Sequence, residues 1–198
     1  MFGRGGVSHR MKEQDPAGTS EAALIERIRR RDLRAFELLY KTHHGRMSRF
    51  LLNMLRRPQL VEEVLNDTMM VVWDKIGDFQ GASKLSTWMF GIAYRQGLNA
   101  LRRLDEPVED DRSAGLESPE ASPEKRAADT RASKALVEAI DALSPAHRAV
   151  VNLTYFQEFG YREIAEILDC PVDTVKTRMF HARRHLKQSL AGDLADWI

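Results

Sequence analysis

The sequence predicts an all-α chain of two small helical domains joined by a flexible acidic linker, the C-terminal domain a helix-turn-helix. Three observations carry this. Apolar residues recur at three- and four-residue steps in several separate stretches, and no useful length alternates with period two. A central run, 105–130, loses that periodicity and places Pro107, Pro119 and Pro123 among Asp, Glu, Ser and Gly. Finally, a formal net charge of +1 hides a segregation of charge along the chain. Residues 84–103 carry Lys84, Arg95, Arg102 and Arg103 without an acid, and 172–187 carry five cations against Asp173. The acidic run between them separates two basic patches, a pattern suited to two contacts with an anionic polymer.

Taken in order, 1–20 is Gly-rich and polar and reads as a disordered tail without an apolar leader segment. The first domain is read as 21–104. Leu33, Phe36, Tyr40, Met47, Phe50 and Met54 mark one buried face of a helical stretch from Ala22 to Leu55, with Asp32 a plausible N-cap that divides it in two. Pro58 is expected to end that run. A second stripe, Val61, Val64, Leu65, Thr68, Val72, Trp73 and Ile76, stops at Gly77. A polar loop, Gln80 to Ser86, leads into a helix from about Thr87 to Leu104, in which Trp88 and Phe90 are assigned to the core. The linker spans 105–130, and the second domain 131–192. Ala132, Leu136, Ile140 and Leu143 form a short amphipathic helix there, followed by Ser144-Pro145 as N-cap and first helical residue. Two more helices follow, Tyr161 to Leu168 and Val172 to about Leu190.

That last pair carries the most specific signal. Ala165 supplies the small residue at a helix crossing, Asp169-Cys170-Pro171 the turn, and Val172, Val175, Met179, Ala182 and Leu186 the apolar anchors of the second helix. Asp169 holds the place that wants a positive φ. With that stripe buried, Thr174, Thr177, Arg178, His181 and Arg184 fall on the outer face, flanked by Lys176, Arg183 and Lys187. Arginine and threonine can reach base edges and lysine can meet phosphates, against the plainer reading of a solvated basic helix.

In the first domain Glu63, Asp67, Met70 and Asp74 form an outward stripe suited to docking on a basic partner, or else a merely solvated face. Arg95, Asn99 and Arg102, with Arg103 beside them, suit a nucleic-acid backbone, and the loop Gln80 to Ser86 suits a flipped base. An enzyme is not expected: there is no phosphate-binding glycine loop, nucleophile elbow or metal-ligand cluster. His181 and His185 share a helix face without an evident third ligand, among cations that would repel a metal, so no metal or cofactor is assigned. One cysteine, Cys170, excludes an internal disulfide and reads as a small apolar residue of the turn. With no run of eighteen apolar residues, a cytoplasmic protein is expected. A stand-alone helix-turn-helix regulator would explain only the C-terminal half, and a helical interaction module neither basic patch.

Together these motifs resemble those of the extracytoplasmic-function (ECF) sigma factors of the bacterial sigma-70 family, over about residues 21–190. The run from Val61 to Trp73 is similar to the family's polymerase-binding helix, and Ser86-Thr-Trp-Met-Phe-Gly-Ile-Ala-Tyr94 to its promoter-melting segment. Leu143-Ser-Pro-Ala-His-Arg148, Tyr161-Arg-Glu-Ile-Ala165 and Asp173-Thr-Val-Lys-Thr-Arg178 are similar to its second DNA-binding domain. The resemblance implies that Glu62, Glu63 and Asp67, with Met70 and Asp74 on the same stripe, dock core RNA polymerase. It implies that Gln80, Ser83, Lys84, Ser86, Arg95, Asn99, Arg102 and Arg103 engage a downstream promoter element, and that the helix from Val172 reads an upstream one. An anti-sigma protein is implied as a further partner. Arg95 and Asp173 stand where the family often has asparagine and glycine, which bears on the promoter sequence. With few residues after Leu190, an additional C-terminal domain is not expected.

Overall fold

The computed structural model describes residues 20–105 and 127–190, and every regular element among them is helical. The chain forms α1 (Glu21–Arg29), α2 (Leu33–Leu55), α3 (Pro58–Lys75), a short 3-10 turn (Ile76–Asp78) and α4 (Leu85–Asp105). After 106–126, which lie outside the described residues, come α5 (Ala127–Asp141), α6 (Pro145–Tyr155), α7 (Tyr161–Leu168) and α8 (Val172–Leu190).

Local chemistry sets the boundaries. Ser20 Oγ accepts from the Ala23 amide at 3.2 Å and opens α1. Asp32 divides the first apolar stretch as expected: its carboxylate accepts from the amides of Arg34 (2.9 Å) and Ala35 (3.2 Å) and opens α2. The Ala35 amide, then the Arg27 guanidinium, hold the Asp32 carboxyl below the usual range. Arg31 just before it takes φ 63°, so the chain reverses in one residue. Arg56 closes α2 in the left-handed region at φ 55°.

The apolar faces meet in one continuous cluster. Ile28, Leu39, Met47, Phe50, Leu51, Leu65, Val72, Met89 and Phe90 fill the N-terminal half, and Val150, Leu153, Ile164, Ile167, Val175, Met179 and Ala182 the C-terminal half. The two halves touch where α2 packs on α6 and α4 on α7. Phe90 on α4 is the pivot, its ring 5.3 Å from that of Phe50 and 5.1 Å from that of Phe159. As expected, Phe90 belongs to the core; Trp88 is half-buried against Phe79.

Several expectations are corrected. Leu33 is 70 % exposed: it is the first residue of α2, where the apolar stripe runs one turn beyond the arc that the neighbours cover. The first run does end before Pro58, at Leu55, but Pro58 also begins α3, three residues ahead of the Val61 stripe, where a missing N–H costs nothing. The helix α4 starts at Leu85, before Thr87, so Ser86 is buried within it and is not part of an open loop. Helix α5 starts at Ala127, inside the stretch assigned to the linker, while Leu136 on it is exposed. Ser20, read as tail, is a cap. The remainder of the acidic run and residues 1–19 lie outside the described residues.

Candidate nucleic-acid interface

The C-terminal motif is built around one corner. Helix α7 opens at Gly160, whose amide donates to the Glu163 carboxylate at 2.9 Å. It closes at Asp169, which takes φ 49°, ψ 56°, the left-handed conformation the turn requires. The Cys170 amide then bonds to the Ala165 carbonyl at 3.0 Å, folding the chain back beneath the crossing, where Ala165 is buried. Thr174 donates its amide to the Pro171 carbonyl at 2.9 Å and α8 begins. Val175, Met179 and Ala182 are buried against α6 and α7, with Val172 and Leu186 half-buried at the margins.

The anchors fix what faces outward. Lys176, Thr177, His181, Arg183, Arg184 and Lys187 are exposed. Lys176 pairs with Asp173 at 2.9 Å, and Thr177 donates its hydroxyl to the Asp173 carbonyl. Thr174 and Arg178, also assigned to the outer face, are half-buried. Arg178 reaches back to the turn, with Nη1 3.8 Å from Cys170 Sγ. Burial raises the Tyr94 phenol above its usual range, and the Arg178 charge opposes that shift.

Two residues of this face escaped the sequence reading. Phe180 is 63 % exposed and by helical spacing sits among Lys176, Thr177, Arg183 and Arg184. Tyr155, at the end of α6, accepts from Arg183 Nε at 3.0 Å and lies under its guanidinium. A search for cations and amides passes over both; an aromatic interrupting a basic face was the available signal. His147 joins His181 from α6, ring centroids 6.4 Å apart, in a shallow cleft that His185 and Arg184 also line. No group of three or more potential metal ligands occurs among the described residues.

In the N-terminal half Glu62, Glu63, Asp67, Met70 and Asp74 form an unbroken exposed stripe along α3, the opposite side of which (Val61, Val64, Leu65, Val72) is core. His44 Nε2 approaches Glu62 at 3.9 Å from α2. On α4, Arg95, Asn99, Arg102 and Arg103 are exposed while Ile92, Ala93 and Ala100 are buried, so the expected basic face is present. In the preceding segment Gln80 is exposed and Ser83 half-buried. Lys84 reaches across to Glu163 of α7 at 2.8 Å. Burial alone would raise the Glu163 carboxyl; Lys84 and the Gly160 amide outweigh it and hold it below the usual range.

Two family models match the chain in order: sigma-70 region 2 over residues 39–106 and sigma-70 region 4 over residues 133–186. The chain belongs to the sigma-70 family. Its relatives place it in the ECF group. It is 27 % identical to the RNA polymerase sigma-H factor of Pseudomonas aeruginosa, over 84 % of this chain and 92 % of that one. It is 26 % identical to the ECF RNA polymerase sigma-E factor of Haemophilus influenzae, over 86 % of this chain and 95 % of that one. Among solved structures, CnrH, in complex with the cytosolic domain of CnrY, shares the fold with a TM-score of 0.64 at 20 % identity, covering 86 % of this chain and 96 % of that one. The sigma factor RpoE of Bartonella quintana, in complex with the anti-sigma factor NepR, has a TM-score of 0.61 at 21 % identity, covering 79 % and 96 %. The region 4 match covers the helix-turn-helix of this sigma factor up to Leu186 of α8, and its α3 stripe and α4 face lie within the region 2 match.

Proposed function

We propose that this sigma factor binds core RNA polymerase through the α3 stripe of Glu62, Glu63, Asp67, Met70 and Asp74 and directs it to promoters carrying two elements. On this reading 21–104 and 131–192 are separate working domains. Gln80, Ser83, Lys84, Arg95, Asn99, Arg102 and Arg103 engage the downstream element during strand opening, while Ser86, buried at the start of α4, is withdrawn from that set. Thr174, Lys176, Thr177, Arg178, His181, Arg183, Arg184 and Lys187 engage the upstream one, and exposed Phe180 adds an apolar contact for a thymine methyl. The observation that carries the reading is the order of the two matched regions on one chain, each with its own exposed face: acids on α3, cations on α4 and α8. The protein acts in the cytoplasm, with no catalytic step of its own. No described helix is long and apolar enough to cross a membrane. Control by an anti-sigma protein is part of the proposal, supported by the partner seen on the Bartonella quintana sigma factor.

The test is capture of bacterial core RNA polymerase by the purified chain, then transcription from a random promoter library. Stable capture with selected start sites is expected. Glu63→Lys with Asp67→Lys should abolish transcription while sparing DNA contacts of the C-terminal half; unchanged polymerase binding by that variant overturns the docking assignment. Arg178→Ala should cost about 1–3 kcal/mol of promoter discrimination if the residue meets a base. A change in salt dependence alone makes it a phosphate contact.

A further inference from the structure

Three of the six histidines of the chain converge on one cleft between α6 and α8. His181 and His185 are one turn apart on α8 and share a face. His147 meets them from α6, its ring centroid 6.4 Å from that of His181 with the planes at 85°. Ser144, Arg184 and Gln188 complete the polar lining. Ser144 Oγ stands 2.6 Å from His147 Nδ1, which orients the ring and leaves Nε2 as the nitrogen for a ligand. His181 and Arg184 are exposed while His147 and His185 are half-buried, so the rings are reachable yet partly withdrawn from water.

Charge decides what such a cleft receives. No carboxylate lines it. The acids of the surrounding helices are engaged elsewhere: Asp141 of α5 with Arg56 of α2, Glu163 of α7 with Lys84, and Asp173 of α8 with Lys176. Glu166 and Asp169 line a separate groove beside Cys170, and exposed Glu138 of α5 is outside the lining. Arg148, next to His147, donates to the Asp141 and Met54 carbonyls. Burial first, then the charges of His181, Arg178 and His185, hold the His147 pKa below its usual value. In the free chain His147 therefore resists protonation, and the same charges repel a metal ion. An anion between the rings offsets that repulsion and can accept from imidazolium and guanidinium together. His181 and Arg184 lie on the outer face of α8, so the anion that meets them when α8 enters a major groove is a backbone phosphate.

Resting on the sigma-factor reading, we propose that this cleft seats one backbone phosphate of the upstream duplex and takes up protons from solvent as it does so. His147 and His185 thereby join His181 and Arg184 in holding DNA. The phosphate favours the charged rings, so the complex binds more protons than the separate molecules. By linkage, affinity for duplex rises as pH falls through the histidine range.

The experiment follows the histidine Cε1–H signals of the full chain by NMR from about pH 8 to about pH 5, at low salt and without polymerase. The chain is measured alone, with a short mixed-sequence duplex, and with inorganic phosphate; duplex affinity is measured over the same range. Single His→Gln changes at 147, 181 and 185 assign the signals. His44, beside Glu62 at the α2–α3 side, is the control. Duplex should raise the midpoints of His147, His181 and His185 by about one pH unit and leave His44 in place. Duplex binding should tighten about tenfold or more across the range. His147→Gln, at unchanged helicity by circular dichroism, should lose most of that gain, and His44→Gln none of it. Unmoved midpoints, or the same pH dependence in wild type and His147→Gln, refute the proposal. If inorganic phosphate moves the three signals and duplex does not, the cleft is a site for free anions and the DNA assignment is overturned. Should His147→Gln unfold, His185→Gln must lose part of the gain, and its failure to do so refutes the proposal equally. No readout contains polymerase. Failure of polymerase capture with these shifts intact therefore overturns the sigma-factor reading and leaves the phosphate seat standing.

Discussion

Gly91 gives a test whose sign depends on what is substituted. It lies inside α4, where glycine costs about 1 kcal/mol relative to alanine. The nearest heavy atoms a Cβ would meet are Arg95 Nη1 and the Ile167 carbonyl oxygen, both at 3.7 Å, and Ile167 Cα at 3.8 Å. These are ordinary contact distances, so one methyl fits. Gly91→Ala should therefore stabilise the chain by about 1 kcal/mol from helix propensity, with up to about 0.8 kcal/mol more from burying the methyl. Gly91→Leu adds three further carbons against the Ile167 backbone, which cannot turn aside as a side chain tip can. Overpacking there should cost about 1–3 kcal/mol and push α7 off α4. Urea unfolding at neutral pH, followed by circular dichroism, reads both. The expected order of midpoints is alanine above wild type above leucine. If leucine is as stable as glycine, α7 does not lie on α4 in solution. If alanine is destabilised, the space above Gly91 is smaller than these distances state.

Three other expectations are open to simple measurement. His147 has its pKa lowered from 6.5, first by burial and then by the charges of His181, Arg178 and His185. Below about pH 6.5 the unfolded chain then binds more protons than the folded one, so stability should fall with pH in that window; His147→Gln should flatten the melting temperature over pH 7 to 5, and an unchanged slope refutes this. Ala165→Leu at the α7–α8 crossing should lose about 1–3 kcal/mol in the same urea assay, and a neutral result would mean that the helices do not cross there. Phe180→Ala, at a site 63 % exposed, should leave the melting temperature unchanged while weakening binding of the selected upstream element; equal binding by the variant would exclude Phe180 from the interface.

How far the sequence could be read depended on the range of the interactions involved. Asp32 as a cap, Asp169 at positive φ and Ala165 at the crossing were legible because each is settled by neighbours a few residues away. The exposed stripe on α3 followed from helical spacing once its apolar side was identified. Leu33 was misread because periodicity gives the phase of a face and not where its cover ends. Pro58 was read only as a stop, whereas a proline that stops one helix is equally suited to start the next. The half-burial of Arg178, and the bond from Arg46 Nη2 to the Gln157 carbonyl at 3.0 Å, were not legible at all. Arg46 and Gln157 are separated by 111 positions, and nothing in either neighbourhood names the other. A basic face can be drawn from spacing, but which of its members are spent on intramolecular contacts is decided by the other half of the chain.

The corner at Cys170 has a practical consequence. The sequence has one thiol, and it lies half-buried in the turn beside the Arg178 guanidinium, its backbone N–H donating a hydrogen bond to the carbonyl of the crossing residue Ala165. Its rate of reaction with a soluble disulfide reagent therefore times how often that corner comes apart, with no label or substitution introduced. Measured with and without polymerase or DNA, that one rate becomes an internal stopwatch for a movement that bulk helicity does not register.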